Sequence, residues 1–183
     1  MSPSHPFRVL IHRDEILRRI HELAREVRAD FGDEPPLLVA VIEGARTFAR
    51  HLQQSLALPV VVHEIRASSY GAGTTSSGLV ALGPSDGLDV AGRRLVLIED
   101  IVDTGRTIAA LRELFLARGA VECRVASLLS KPSRRVVEVD IDYLGFEIPD
   151  EFVIGFGMDF AGRYREIGEV VVYDEGQAAA YGT

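Results

Sequence analysis

The chain has 183 residues, 47% of them hydrophobic and 26% charged. That length suits one α/β domain and two small domains poorly, and the balance implies a packed core. The formal net charge of −7 argues against a general nucleic-acid or anionic-membrane surface, while leaving room for a local basic pocket around a phosphorylated ligand. The lone cysteine, Cys123, makes neither an intrachain disulfide nor a paired-cysteine metal site and reads as an inert, partly buried thiol. No basic-then-apolar leader opens the sequence, and no apolar run reaches the roughly 20 residues of a membrane span, so a cytoplasmic protein is expected.

Helix-like and strand-like patterns alternate along the chain. Ile16, Ile20, Leu23, Ala24 and Val27 recur at helical spacing, with Asp14 and Glu15 in the first turn and Gly32 past the end. Leu37 to Ile42, "LLVAVI", is a short continuous apolar run and reads as a buried strand. Glu43 and Gly44 turn the chain, and Ala45, Phe48, Leu52 and Leu56 line the next helix. "PVVVHEI" from Pro59 is a further strand. The pattern then fails in "ASSYGAGTTSSG", Ala67 to Gly78, which is small, polar and glycine-rich, and a weak strand, "LVAL", follows. Arg94 to Glu99 is a strand, Ile108, Leu111 and Phe115 are a helical stripe ending at Gly119, and "VECRVASLL" from Val121 is the next strand. "FVIGF" and "EVVVY" are the last apolar runs. Strands separated by helices imply βαβ units and a mostly parallel twisted sheet flanked by helices, with ligands bound beyond the C-terminal strand ends.

One such strand end holds the densest chemistry. Val96 to Thr107, "VLIEDIVDTGRT", sets Glu99, Asp100 and Asp103 at the close of an apolar strand, just before a glycine turn with two hydroxyls. Carboxylates repel one another and resist burial, so something must neutralise or use them. Thr104, Gly105, Arg106 and Thr107 stand where a helix begins, and free backbone N–H groups there form a cup for a phosphate monoester. Glu99 and Asp100 can accept hydrogen bonds from vicinal sugar hydroxyls or hold Mg2+ through water. A phosphorylated sugar satisfies both halves. The plainer alternative is a helix start capped by Asp103 behind ordinary surface acids.

This stretch resembles the phosphoribosyl-diphosphate (PRPP) binding motif of type I phosphoribosyltransferases. "ASSYGAGTTSSG", "LLSKPSRR" and "VDIDYLGFEIPDEFVIGFGMDFAGRYREI" are similar to successive signatures of the hypoxanthine-guanine branch, and the resemblance runs from about Val9 to Val172. It implies a type I phosphoribosyltransferase-like core, with a small hood formed by chain-terminal segments, in a single domain over residues 1–183. It also implies the reaction: Mg2+-dependent transfer of the 5-phosphoribosyl group from PRPP to N9 of a 6-oxopurine, hypoxanthine or guanine, giving IMP or GMP and pyrophosphate. A homodimer or homotetramer is the implied assembly, with no nucleic-acid or membrane partner.

Residue by residue, the resemblance implies that Glu99 and Asp100 face the ribose hydroxyls and share in metal binding. Asp103 would exchange a proton at purine N7, and Asp103 to Thr107 would hold the 5′-phosphate. Lys131, the sole lysine, would donate to the purine 6-oxo group, which an ammonium prefers over a 6-amino group. Phe152 would stack on the base, and the Val153 backbone would pair with its edge. Asp159 would be a metal ligand and Arg165 a pyrophosphate contact. Ser69 and Tyr70 match the tip of a mobile loop, about residues 67–78, that shuts water out. Taken singly, Lys131, Asp159 and Arg165 also read as surface charges, and Phe152 and Val153 as strand core.

One position departs from the family. After "LLVAVI" the family usually has a basic residue, then Gly, in the pyrophosphate loop; here they are Glu43 and Gly44. A carboxylate repels pyrophosphate unless metal or Arg intervenes, so weakened PRPP affinity is expected, with Arg46 a candidate source of charge. Two other readings stand beside salvage catalysis: a xanthine-preferring phosphoribosyltransferase, and a PRPP- or purine-sensing regulator on the same scaffold. The tail, about residues 174–183, reads as frayed.

Overall fold

A computed structural model describes residues 5–69, 80–82 and 88–179, without the side chains of residues 68, 69 and 80–82. Five parallel strands make the main sheet, in the order β3 (Val62–Ile65), β2 (Leu37–Val41), β6 (Arg94–Val102), β7 (Glu122–Ser130) and β8 (Tyr143–Glu147). Side chains alternate across a strand, so each apolar run feeds two cores. Leu38, Ala40, Val96, Ile98, Ala126 and Leu128 face one side. Leu37, Val39, Leu95, Leu97, Cys123 and Val125 face the other.

Helices cover both faces. On the first side lie α1 (Arg13–Phe31), with the expected stripe buried and Gly32 at its end at φ 59°, and α2 (Arg46–Leu56), through Phe48, Ala49, Leu52 and Leu56. On the second lies α3 (Arg106–Ala117), through Ile108, Leu111 and Phe115. Cys123 is buried among these residues, and burial pushes its thiol up to about 11, in keeping with an inert role.

Three strands stand outside the runs picked from the sequence: β8, β1 (Arg8–Ile11) and β4 (Ala67–Ser69), the last inside the stretch where the pattern fails. β8 is a half-buried edge strand in which Gly145 interrupts the apolar run and Glu147 ends it. Gly145 is required there, because a Cβ would lie 2.2 Å from the Leu128 carbonyl oxygen. Arg19 of α1 donates to the Leu144 carbonyl at 2.8 Å and ties this edge to the helical layer. β1 (Arg8–Ile11) pairs antiparallel with β10 (Val170–Val172), which pairs with β9 (Val153–Ile154). The expected hood is therefore a three-stranded sheet joining both ends of the chain. The tail does not fray at once: Asp174 caps a short helix, α4 (Glu175–Ala178), by accepting from the Gln177 N–H at 2.8 Å, and Ala178 is buried. β4 (Ala67–Ser69) and β5 (Val80–Leu82) form a separate antiparallel pair.

Candidate active site

The end of β6 carries the acidic corner. Glu99 and Asp100 leave the apolar run half-buried, and Glu99 Oε2 is shielded from solvent without a hydrogen-bond partner. Burial, and the Asp100 charge next to it, push the Glu99 carboxyl well above the usual carboxylate range. Burial also raises Asp100, against the pull of the Ile101 N–H, which it accepts at 2.9 Å, and of the Arg165 charge. The corner thus holds unmet acceptor capacity, the state expected of groups awaiting hydroxyl donors or a cation.

Beyond the corner the chain turns into α3. Gly105, at φ 82°, is the residue before the helix, and no side chain caps that end. A Cβ on Gly105 would lie 2.3 Å from the Val137 carbonyl oxygen, so only glycine fits. The Thr104 carbonyl accepts from the Val136 and Val137 N–H groups, each at 3.0 Å, which fixes the turn from outside. The result is a cup of about 90 Å3 lined by Glu99, Asp103, Thr104, Gly105 and Thr107. Asp103 is not the helix cap that the plainer reading allowed. Its Oδ1 accepts from Arg134 Nε at 2.6 Å, and Arg134 reaches on to Asp150 at 3.4 Å.

A cleft of about 790 Å3 adjoins the cup, and the two share Ile101 and Asp103. Lys131 lines it and is only 8% exposed, with Nζ 3.8 Å from Asp150 Oδ1, so it is no surface lysine. Phe152 is 52% exposed and presents a ring to the cleft, held edge-on by Phe160 and Tyr173. It is therefore not strand core, whereas Val153 is buried. Among the described residues β9 pairs only with β10, which leaves the other backbone edge of Val153 open to a partner.

Gly44, Asp159 and Arg165 also line the cleft. Asp159 accepts from Arg165 Nη2 at 2.7 Å and from the Gly162 N–H at 2.7 Å, while Arg165 Nη1 donates to the Gly157 carbonyl at 2.6 Å. Gly44 abuts the corner so closely that a Cβ would sit 1.7 Å from Asp100 Oδ2. Glu43 does not meet the cleft as a bare charge. It accepts from Arg66 at 2.8 Å and Arg46 at 2.6 Å, and these hydrogen bonds hold its carboxyl below the usual range. The carboxylate behind the expected loss of PRPP affinity thus carries two bound guanidiniums.

The residues brought together are thus Glu43, Gly44, Glu99 to Thr107, Lys131, Phe152, Val153, Asp159 and Arg165, all but Arg106 lining or flanking the two cavities. Arg106 opens α3. Ser69 ends β4 with its side chain outside the described residues, and Tyr70 lies outside them altogether.

The order of these features along the chain has close counterparts. A phosphoribosyl transferase domain model matches residues 11–161. A hypoxanthine-guanine phosphoribosyltransferase of Streptococcus agalactiae is 39% identical over 168 residues, which cover 92% of this chain and 93% of that protein. The chain belongs to the hypoxanthine-guanine phosphoribosyltransferase family. It is accordingly a phosphoribosyltransferase enzyme. Solved structures agree: a hypoxanthine phosphoribosyltransferase of Staphylococcus aureus matches with TM-score 0.86 at 28% identity, over 96% of this chain and 94% of that one. A Bacillus anthracis hypoxanthine-guanine phosphoribosyltransferase matches with TM-score 0.85 at 33% identity, over 91% and 98%.

Arg134, Asp150 and Met158 also line the cleft and escaped sequence reading. The doubled Arg after "KPS" was a signal for Arg134; Asp150 and Met158 gave none, since an acid after Pro and a Met in a glycine-rich turn are ordinary.

Proposed function

We propose that this enzyme transfers the 5-phosphoribosyl group of PRPP to N9 of a 6-oxopurine, releasing pyrophosphate. The observation that carries the reading is Lys131. The chain's sole lysine is buried in the cleft wall, in the same cavity as Asp103 and the exposed Phe152 ring. Burying an ammonium is costly unless it has acceptors, and Asp150 is the only anion found near it among the described residues, at 3.8 Å. A purine O6 supplies the missing acceptor; a 6-amino group does not.

In this reading the cup takes the 5′-phosphate on the N–H groups and hydroxyls of Thr104 to Thr107, and Glu99 and Asp100 accept from the ribose hydroxyls. Phe152 covers one face of the base, and the open edge of Val153 pairs with its rim. The C1′–N9 bond forms as the C1′–oxygen bond to pyrophosphate breaks. Asp103, fixed by Arg134 through one oxygen, accepts the purine proton at N7 with the other. Positioning and charge stabilisation carry the rate, as an oxocarbenium-like transition state requires. Pyrophosphate departs along the Gly44, Asp159 and Arg165 wall.

Mg2+ fits this donor set. No three metal-ligating side chains converge among the described residues, but Mg2+ is commonly held by one or two carboxylates plus substrate oxygens and water. Glu99, with its unpartnered buried oxygen, and Asp100 would supply carboxylates for it at the corner, and Asp159 would supply a separate one on the pyrophosphate side. When bound it neutralises charge on the departing pyrophosphate.

Pyrophosphate release on mixing PRPP, Mg2+ and each of hypoxanthine, guanine, xanthine and adenine tests the reading. Turnover is expected with hypoxanthine or guanine, with adenine at least about tenfold slower, since a buried group left without its partner costs about 1–3 kcal/mol. Tight binding of PRPP or purine without turnover would favour a sensor, and preferred turnover of xanthine a different base.

A further inference from the structure

The pyrophosphate loop must bind a polyanion, yet its first side chain is Glu43. Four charges meet here, Glu43 among them. Glu43 Oε2 accepts from Arg46 Nη1 at 2.6 Å, and Glu43 Oε1 accepts from Arg66 Nη2 at 2.8 Å. Arg46 turns its remaining nitrogens on Glu64, with Nε to Oε1 at 2.8 Å and Nη2 to Oε2 at 2.9 Å. Two carboxylates and two guanidiniums cancel, but the two arginines are not equivalent. Arg46 commits all three nitrogens to carboxylates. Arg66, between β3 and β4, has one ion-pair contact among the described residues, to Glu43, and its side chain is 72% exposed.

We propose that Arg66 is a pyrophosphate-binding residue of this enzyme, held at the mouth of the loop by Glu43 in place of the missing base. Glu43 lines the same cleft as Gly44, Asp159 and Arg165, so a guanidinium anchored on it stands at the rim of the wall assigned to pyrophosphate. A guanidinium has five N–H donors in a planar fork. One serves Glu43, and the outward ones suit two oxygens of a diphosphate. Glu43 is then a positioning residue: it restrains a long, flexible side chain before the ligand arrives and so reduces the ordering cost of binding. Arg46, locked on both acids, is the fixed post behind it.

This inference rests on the reaction proposed above, and the two fail differently. Turnover of PRPP by the wild-type enzyme decides the reaction. The inference is then decided by KM for PRPP and the inhibition constant of pyrophosphate in Arg66→Gln, Glu43→Gln and the double variant. Arg66→Gln is expected to raise both constants about fivefold, the scale of a partly exposed charged hydrogen bond. KM for hypoxanthine and kcat should change much less, and Arg66→Lys should recover part of the loss. Added to Glu43→Gln, Arg66→Gln is expected to raise both constants again, but by less than in wild type, because its anchor is already lost. If Arg66 only neutralised Glu43, the double variant would return to wild-type constants, and that result overturns the proposal. So does an Arg66→Gln enzyme whose PRPP and pyrophosphate constants are unchanged.

Discussion

Glu99 illustrates how a single residue can serve the site at the expense of the fold. Its carboxyl is raised well above the ordinary range because it is buried beside Asp100. The folded state therefore keeps the Glu99 proton to higher pH than the unfolded chain does. Stability is fully present below the ordinary carboxylate range and falls as pH climbs from there through the raised folded value. Glu99→Gln removes the ionisable group but keeps the shape. The melting temperature of the ligand-free variant should match wild type near pH 4.5, exceed it at pH 8, and show a flatter profile between. A variant that tracks wild type across that range would contradict the assignment. Composition and motif exposed the acids at this corner, since three carboxylates closing an apolar strand have few innocent explanations. They could not expose the Arg134 partner of Asp103, which arrives from 31 residues away.

At the scale of elements, the start of α3 is the part most tightly specified. Gly105 combines a left-handed backbone with a close approach to the Val137 carbonyl, so Gly105→Ala incurs both strain and a clash. A loss of about 2 kcal/mol, or roughly 4–8 °C in melting temperature, is expected for a chain of this size. PRPP affinity should fall with it, and an unshifted melting curve would show that the turn is not rigid. Continuous runs such as Leu37 to Ile42 made the central strands plain, and the stripes of α1 and α2 were equally direct. β1 and β8 were not legible, because edge strands need bury only part of their surface and so carry no clean period. The departure at Glu43 was visible in sequence, but its neutralisation was not, because Arg66 meets it across neighbouring parallel strands.

The whole molecule works by bringing two unlike cavities to one corner. A small amide-lined cup and a large cleft with Lys131 and Phe152 share Asp103 and Ile101. The β6 end and the α3 turn supply the cup, and segments following β2, β7, β8 and β9 supply the cleft, so no single stretch of sequence contains the site. The family motif announced the cup; the adjoining arrangement depends on strand order, which the sequence pattern left open. The central claim is that the acidic corner and the cup hold opposite ends of one ribose 5-phosphate. Calorimetric titration of PRPP with Mg2+ present, into wild type, Glu99→Gln and Thr104→Val, tests it most directly. Saturable binding weakened about fivefold or more by each substitution is the predicted result, on the scale of one charged or neutral hydrogen bond lost. Absence of binding to wild type, or affinity untouched by both substitutions, would contradict it.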